Sequence, residues 1–270
     1  MKHDMQRRFA FIETCIYWGV GLTASHLGKV FGIARQNAQK TINDYKTSYP
    51  GQLTYDASAK CHKPSASFKP ELIKDQPNLY LDYLRGNHMV AKFWSENDWS
   101  ELIVYDTDEK TRPHLDQGCI RVIISALQEQ QVVKIYYHSK LHTQYLTISP
   151  NTLVYASQRY HIRAYCHDSF HFIDLNLARV LHAELATDDW VSSDEDTDWN
   201  TTVRLTFVPN RGLPEQMLNT LRKDYRLAKE DNYVVNTNLA LAFYIKRNLL
   251  SMKTSEGKPL WLMEKHPTDI

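Results

Sequence analysis

The chain has little glycine and no paired cysteines, and each shortage excludes a class of protein. Only 9 of its 270 residues are glycine, which argues against folds built on glycine-rich phosphate-binding loops. The four cysteines, Cys15, Cys61, Cys119 and Cys166, include no C-x-x-C pair. A zinc site needs such paired spacing, and a disulfide framework is typical of much smaller chains, so we expect no metal, no cofactor and reduced thiols in a cytoplasmic protein.

Long apolar runs and a large net charge are also absent. No segment reaches the ~18 consecutive apolar residues of a membrane helix, so no membrane partner is expected. The net charge is only +1, yet residues 1–63 carry a net charge of +5 and the remainder −4. Because phosphate backbones attract the first part and repel the second, a nucleic-acid interface is expected near the N-terminus.

Residues 7–46 have the pattern of a helix-turn-helix. Apolar residues recur at helical spacing from Arg7 to Gly19, and Thr23 suits the N-cap of a short second helix. The run 32–34 predicts a tight turn, after which a helix is expected from Ala34 to Lys46. The apolar stripes of these two helices are expected to be Leu22, Leu27, Val30 and Phe31 on the second and Ala38, Ile42 and Tyr45 on the third. Two short helices joined by a turn near a glycine are the arrangement of this motif.

The third of these helices carries polar side chains of the types that reach base edges. They are Arg35, Gln36, Asn37, Gln39, Lys40 and Asn43. We expect Arg35, Gln36 and Gln39 to read bases, with the other three beside them in the interface. Lys40 and Lys46 suit phosphate contacts, which position a helix without reading sequence. The alternative is an ordinary polar surface, although such surfaces more often alternate Glu and Lys.

A wing is predicted after this helix. The segments 53–56 and 60–63 flank a turn of small residues, which is typical of a β-hairpin. Lys60 and Lys63 would lie on its basic edge. Pro64 and Pro70 then end the module, so residues 1–70 are predicted to form a winged helix-turn-helix domain.

Residues 71–176 begin with mixed helix and strand signals and then become rich in predicted β-strands. Residues 71–116 form a connecting segment with a helix predicted over 79–84 and a strand over 102–105. An amphipathic helix is expected over 119–129. Short strands should follow at 132–138, 144–148, 153–156, 159–166 and 170–176. Their spacing favours a small antiparallel sheet or barrel, and an α+β multidomain protein overall.

The order of motifs in this region resembles a WYL domain. The motifs are 135–139, 148–150 with Leu153, 160–166 and 174–180. The family's name-giving triplet is Tyr160-His161-Ile162 here, and Ile173 stands where an arginine is often found. The resemblance implies an Sm-like β-barrel over residues 117–187 and a role in transcription behind a helix-turn-helix.

The resemblance extends over nearly the whole chain. Residues 1–70 look like the winged helix of WYL regulators encoded beside bacterial phage-defence operons of the BREX and CBASS types. Residues 50–56 with Lys60 resemble their wing, and 203–209 with 240–244 resemble their C-terminal extension. The resemblance implies a homodimeric repressor of its own operon.

The family's ligand residues carry over by motif position to a set of five. They are Tyr137, Ser139, His161, Arg163 and Arg179. The two arginines suit a phosphate, the two rings suit a base, and the hydroxyl suits a hydrogen bond. This set predicts a nucleotide or short nucleic-acid effector. The alternative is that the arginines pair with Asp168 or Asp174 and the neighbouring tyrosines are core.

The segment 188–270 is predicted to be a small α/β unit used for dimerisation. Its first residues, 188–199, are acidic and suggest a solvated linker. A strand is expected over 203–208, with helices over 213–222 and 239–250. A dimer reads two half-sites about one helical turn apart, so a palindromic double-stranded operator is expected.

Two other functions compete with a regulator. An enzyme, such as a nuclease, would need clustered carboxylates for Mg²⁺ or a catalytic motif, and the sequence has neither, so no catalytic residue is predicted. The second alternative is a single-stranded nucleic-acid-binding adaptor without operator specificity. Relative affinity for duplex and single strands separates it from a repressor.

Overall fold

The computed structural model describes residues 3–19, 21–84, 107, 109–228 and 232–264. These residues divide into two compact units, 1–191 and 192–270, each of which is described by itself. The strand predicted over 102–105 lies outside the described residues.

Three helices open the first unit, namely α1 (His3–Tyr17), α2 (Ala24–Phe31) and α3 (Arg35–Ser48). The predicted N-cap is confirmed, because the Thr23 hydroxyl accepts a hydrogen bond from the His26 amide at 3.0 Å. Gly32 ends α2 with φ at 62°, a left-handed conformation that glycine adopts at low cost. The helix-turn-helix is therefore present.

One stripe of each helix forms the core of this module. Ala38, Ile42 and Tyr45 of α3 are fully buried, as their i, i+4, i+7 spacing predicts. They pack on apolar residues of α1 and α2, among them Phe9, Ile12, Ile16, Leu22 and Leu27. Val30 was expected in this core but is 47% exposed. Burying one face of α3 leaves its polar face in solvent.

The predicted wing is confirmed as an antiparallel hairpin of β1 (Leu53–Asp56) and β2 (Cys61–Pro64). The Asp56 carboxylate accepts hydrogen bonds from the amides of Ser58 and Ala59, which closes the turn. The backbones of His62 and Leu22 exchange hydrogen bonds of 2.7 and 2.9 Å. This bridge holds the wing against the start of α2.

Two helices connect the wing with the sheet that follows, α4 (Pro77–Leu84) and α5 (Gln117–Glu129). Both were predicted and begin two residues earlier than expected. The Asp116 carboxylate caps α5 by accepting from the Cys119 amide at 2.8 Å. One continuous apolar core runs from the end of α1 through α4 and α5 into the sheet.

The sheet has five antiparallel strands in the order β6-β5-β4-β3-β7. They are β3 (Val132–His138), β4 (Thr143–Ala156), β5 (Arg159–Cys166), β6 (His171–Asn176) and β7 (Val180–Ala186). The two strands predicted at 144–148 and 153–156 are one strand, β4, with a register shift between Pro150 and Thr152. Proline cannot donate to a ladder, so the pattern looked broken although the strand continues.

The closed Sm-like barrel implied by the resemblance is corrected to an open sheet. Among the described residues the ladders end at β6 and β7, with no pairing between these two edge strands. A 3-10 turn, Leu177–Arg179, carries the chain from one edge to the other. Strand β7 itself was not predicted, since half of its residues are exposed.

The second unit contains a three-stranded antiparallel sheet in the order β10-β8-β9. Its elements are α6 (Thr197–Asn200), β8 (Thr202–Pro209), α7 (Glu215–Asp224), β9 (Tyr233–Asn238), α8 (Leu239–Leu250) and β10 (Trp261–Met263). Helix α8 has the predicted bounds, whereas β9 and β10 were not predicted. Phe207 and Trp261 are fully buried at the centre of the core.

The acidic segment 188–199 was predicted from its charge to be a solvated linker, but part of it is buried. Asp196 is 2% exposed, and its carboxylate accepts from the Trp199 amide at 3.2 Å as the N-cap of α6. The hydrogen bond that a capping carboxylate accepts compensates it for the loss of water. A count of charges in the sequence does not reveal such a cap.

Candidate nucleic-acid interface and candidate ligand site

The outward face of α3 presents all six of the polar residues predicted for the DNA interface. Arg35, Gln36, Asn37, Gln39, Lys40 and Asn43 are each exposed. Their side chains make one mutual hydrogen bond, from Gln39 Nε2 to Asn43 Oδ1 at 3.3 Å. No other hydrogen bond or ion pair of these side chains is found among the described residues. Their donors and acceptors therefore remain available to a ligand.

The start of α3 adds positive potential to this face. Its N-cap, Ala34, supplies no side-chain hydrogen bond. The first-turn amides of a helix have no partner within the helix, and the helix dipole makes this end positive. Phosphate groups are the ligands that such an end accommodates well.

The three predicted phosphate contacts outside the polar face are not equivalent. Lys60 is exposed at the tip of the wing, and Lys46 is half-buried near the end of α3. Lys63 lies 3.0 Å from the Asp56 carboxylate. The Ala59 amide, the Ser58 hydroxyl and Lys63 together hold the pKa of Asp56 well below its usual range. Asp56 thus offsets part of the Lys63 charge, which the sequence prediction missed.

Two of the five predicted ligand residues share one face of β5. His161 and Arg163 are 8% and 6% exposed, and they alternate with the core residues Tyr160 and Ile162 on the opposite face. Both belong to a strand paired on each side, so their backbones are fixed. Residues of the type that binds anions and bases are therefore held at an interior position of the sheet.

The partners of Arg163 come from the neighbouring strand β6. Its guanidinium lies 3.7 Å from the Asp174 carboxylate and 5.9 Å from the centre of the Phe172 ring. Asp174 is also its register partner in the ladder. The Asp174 pairing, which the alternative interpretation of these arginines predicted, is observed for Arg163. Phe172 is a further neighbour that only the strand register reveals.

The other three predicted ligand residues lie elsewhere. Tyr137 is 7% exposed in the core, and its hydroxyl accepts from the Asn176 amide at 3.1 Å. Ser139 ties the turn between β3 and β4, donating to the His142 carbonyl at 2.8 Å. Arg179 is half-exposed in the 3-10 turn. His161 and Arg163 thus share one strand, whereas the other three residues belong to other elements. Tyr137 remains connected to this strand, because Asn176, whose amide donates to the Tyr137 hydroxyl, is the register partner of His161.

A cavity of about 580 Å³ lies between the N-termini of α4 and α5. Asp75, Asn78, Arg112, His114 and Asp116 are among its lining residues. None of the five predicted ligand residues lines it. Two carboxylates oppose its two basic groups, so this cavity has no strong preference for an anion.

Two searches of the described residues bear on other classes of function. No group of three or more His, Cys, Asp or Glu side chains is arranged to hold a metal ion there. No helix within the described ranges has the length and apolar character needed to cross a bilayer.

Comparison with protein families identifies two domains. Residues 4–86 match the winged helix-turn-helix domain of the BrxR transcriptional regulator, and residues 118–185 match the WYL domain. The predicted combination of an N-terminal winged helix with a WYL domain is confirmed.

The curated relatives include DNA-binding transcriptional repressors named CapW. The one from Pseudomonas aeruginosa is 25% identical over 262 residues, which is 96% of this chain and 87% of the relative. One from Escherichia coli strain KTE188 is 26% identical over 230 residues, covering 84% and 76%. One from Stenotrophomonas maltophilia is 24% identical over 256 residues, covering 92% and 84%.

Among solved structures, the proteasome accessory factor B/C (PafBC) of Arthrobacter aurescens is similar over 98% of this chain at 14% identity, with a TM-score of 0.24. The matched region spans 46% of that chain.

Proposed function

Because the chain is a WYL-domain protein with a BrxR-type winged helix-turn-helix, we propose that it is a sequence-specific DNA-binding transcriptional repressor. The observation that carries this proposal is the exposed face of α3, where six polar side chains suited to contacts with DNA lie in solvent opposite a fully buried stripe. Relatives that span 84–96% of the chain are named as repressors of this kind, which supports it. The controlled operon is a phage-defence operon that includes the repressor's own gene.

In the proposed complex, α3 lies in the major groove. Arg35 would form paired hydrogen bonds with guanine, and Gln36 and Gln39 would do so with adenine. Lys40, Lys46 and the wing lysines would contact phosphates and fix the register of the helix. The net positive charge of residues 1–63 favours this encounter.

The repressor acts as a homodimer on a palindromic operator, and the second unit supplies the subunit contact. Phe243 and Leu239, one turn apart on α8, are 64% and 44% exposed. The Arg247 guanidinium lies 5.6 Å from the Phe243 ring centre. Exposed aromatic and arginine side chains are enriched at subunit contacts.

The WYL domain senses a nucleotide or short nucleic acid. His161 and Arg163 on β5, together with the half-exposed Arg179, would supply the base-stacking ring and the phosphate-binding guanidinium groups. Binding there would alter the affinity of the winged helix for its operator.

A mobility shift of the purified full-length chain on its own upstream DNA tests the proposal. Scrambled duplex and a single strand of the same sequence are the competitors. A shift that scrambled duplex does not displace supports the repressor. Binding that either competitor displaces equally well contradicts it.

One surface favours the alternative function, a single-stranded nucleic-acid adaptor. Tyr145 is 56% exposed on the sheet, its ring centre lies 4.7 Å from that of Tyr136, and the Lys134 ammonium lies 5.0 Å from the Tyr145 ring. Exposed aromatic rings beside a cation are a platform on which bases of single strands stack. Preference for the single-strand competitor in the same experiment would identify this function.

A further inference from the structure

Two carboxylates, Glu13 and Asp82, are buried in the interior of the first unit, and each joins elements that are distant in sequence. Glu13 is 0% exposed on α1, and Asp82 is 1% exposed on α4. A buried carboxylate costs stability unless hydrogen bonds satisfy it, and those bonds are directional where apolar packing is not. Such groups fix the relative position of the elements that they join.

Glu13 joins α3 to the segment that follows the wing. Its Oε1 accepts a hydrogen bond from the Tyr45 hydroxyl of α3 at 3.1 Å. Its Oε2 faces three successive backbone amides, those of residues 71–73, at 3.1, 2.8 and 3.3 Å. Burial raises the pKa of Glu13, although these hydrogen bonds oppose the rise. One side chain therefore connects the back of the base-reading helix with the connecting segment.

An aromatic stack carries the connection from α1 to α4. Trp18, which immediately follows α1, is fully buried, and its ring lies flat on Tyr80 of α4. The ring centres are 4.7 Å apart and the planes differ by 6°. A flat, fully enclosed stack transmits displacement because protein interiors are close-packed.

Asp82 completes the connection to the WYL sheet. Its carboxylate accepts a short hydrogen bond from the Tyr160 hydroxyl of β5 and forms an ion pair with Arg112. Burial alone would lower the pKa of Arg112, but Asp82 reverses this and the pKa is raised. Tyr160 immediately precedes His161, one of the two residues assigned to the ligand on the other face of the same strand.

We propose that Glu13 and Asp82 are positioning residues that couple strand β5 of the WYL domain to helix α3 of the winged helix. The route runs from Tyr160 through Asp82, Tyr80, Trp18 and Glu13 to Tyr45. A ligand that displaces β5 moves the Tyr160 hydroxyl, and the hydrogen bonds at the two ends of the route, with the ring stack between them, pass that movement to the back of α3. This coupling rests on the proposed function for its biological use and for its first test, which measures operator affinity, whereas its second test needs no operator.

A double-mutant cycle between the two ends of the route tests the coupling. Tyr45→Phe and Tyr160→Phe each remove one hydroxyl and leave the ring. Residues that share no contact normally change a binding constant independently, within about two-fold of the product of the single effects. We expect the double variant to deviate by about five-fold or more in operator affinity, a typical size for coupled sites.

Two further variants supply matched controls. Tyr55→Phe alters a 58% exposed wing tyrosine in place of Tyr45, and Tyr136→Phe alters an outer-face sheet tyrosine in place of Tyr160. Cycles that combine a control with a route variant should be additive. Urea unfolding of every variant checks that each remains folded. Additivity of the route cycle in folded proteins would overturn the coupling while leaving the repressor function intact.

Amide hydrogen exchange in the DNA-free protein gives a second test that does not need an operator. Tyr160→Phe should speed exchange at residues 71–73 and within α3, whereas Tyr136→Phe should not. If only the amides of α4 and β5 respond, the route ends at Asp82 and the proposal is wrong. A wild-type protein that binds no duplex would defeat the proposed function, and this experiment would still decide the coupling.

Discussion

The winged helix and the WYL sheet use polar residues in opposite ways. On α3, six candidate contact residues are exposed with a single hydrogen bond among them. On β5, His161 and Arg163 are less than a tenth exposed, and Arg163 already faces Asp174 at 3.7 Å. Duplex DNA is larger than the helix that reads it, so its reader must project outward. A small ligand is enclosed, so its site is built inside a fold.

The difference has an energetic consequence. Truncating an exposed residue of α3 removes contacts to a partner and changes the free energy of unfolding little. Truncating a buried residue of β5 also removes contacts within the protein and leaves their partners buried without a hydrogen bond. Such a truncation therefore lowers the free energy of unfolding. Binding and stability should therefore separate cleanly in the first region and overlap in the second.

The largest expected effect tests that separation on α3. Arg35→Ala combined with Gln39→Ala should abolish sequence-specific duplex binding, because two base contacts are worth about 2 kcal/mol or more together, at least roughly 30-fold in affinity. The free energy of unfolding and the oligomeric state should not change. Fluorescence anisotropy with operator and scrambled duplexes measures the loss.

A matched control for this variant lies on α7, where Gln216 and Lys223 are also exposed. Replacing both with Ala removes one amide and one cation from another helix and should leave operator affinity unchanged. Unchanged affinity in the Arg35 and Gln39 variant would show that α3 is an ordinary polar surface.

The next effect concerns the two arginines of the candidate ligand site. Arg163→Ala and Arg179→Ala should each retain operator binding but lose the response to added single-stranded oligonucleotides or nucleoside phosphates. Arg163→Ala should also destabilise the fold more than Arg179→Ala, since only Arg163 is buried against Asp174. Urea unfolding compares the two.

A milder substitution distinguishes a lost effector response from a lost fold. Arg163→Lys keeps the charge but loses the planar fork that grips phosphate, so it should fold and still respond poorly. A normal effector response in both Arg163 variants would leave that residue with a structural role alone.

A smaller effect distinguishes a lysine of α3 from a lysine of the wing. Lys40→Ala should weaken binding about equally on all duplexes and reduce the salt dependence by about one phosphate contact. Lys63→Ala should reduce it less, because Asp56 lies 3.0 Å from that ammonium and offsets its charge. Affinities measured over a salt series give both slopes, and equal slopes would mean that Asp56 leaves Lys63 when DNA binds.

The smallest effect is a pH dependence of stability from the wing. Burial, with a lesser contribution from Lys46, lowers the pKa of His62 below its ordinary value of 6.5. The unfolded chain then binds more protons than the folded one between the two pKa values. Stability from this group is therefore present above pH 6.5 and is lost as the pH falls through the folded pKa. Unfolding in urea at a series of pH values should show a shallower slope for His62→Gln than for the wild type.

The sequence predicted the winged helix in detail because helical periodicity reports which side faces the core. Ala38, Ile42 and Tyr45 were assigned to the buried stripe of α3, and the polar residues to its outer face, from spacing alone. The turn at Gly32 and the cap at Thr23 are equally local, since each depends on neighbours within four residues. Exposure of the candidate interface followed from the same pattern, whereas its role in binding stays a prediction.

Only the tertiary structure decided the WYL sheet and the buried carboxylates. The register of β5 against β6 places Phe172 and Asp174 beside Arg163. The two segments predicted as separate strands around Pro150 form one strand, β4, whose register against β5 shifts at that point. Asp82 contacts Tyr160 across 78 positions of the chain. The sequence by itself determined which residues favour helix, turn and strand. Which distant groups meet depends on strand register and core packing, and a single-residue slip would turn every side chain of β5 to the other face.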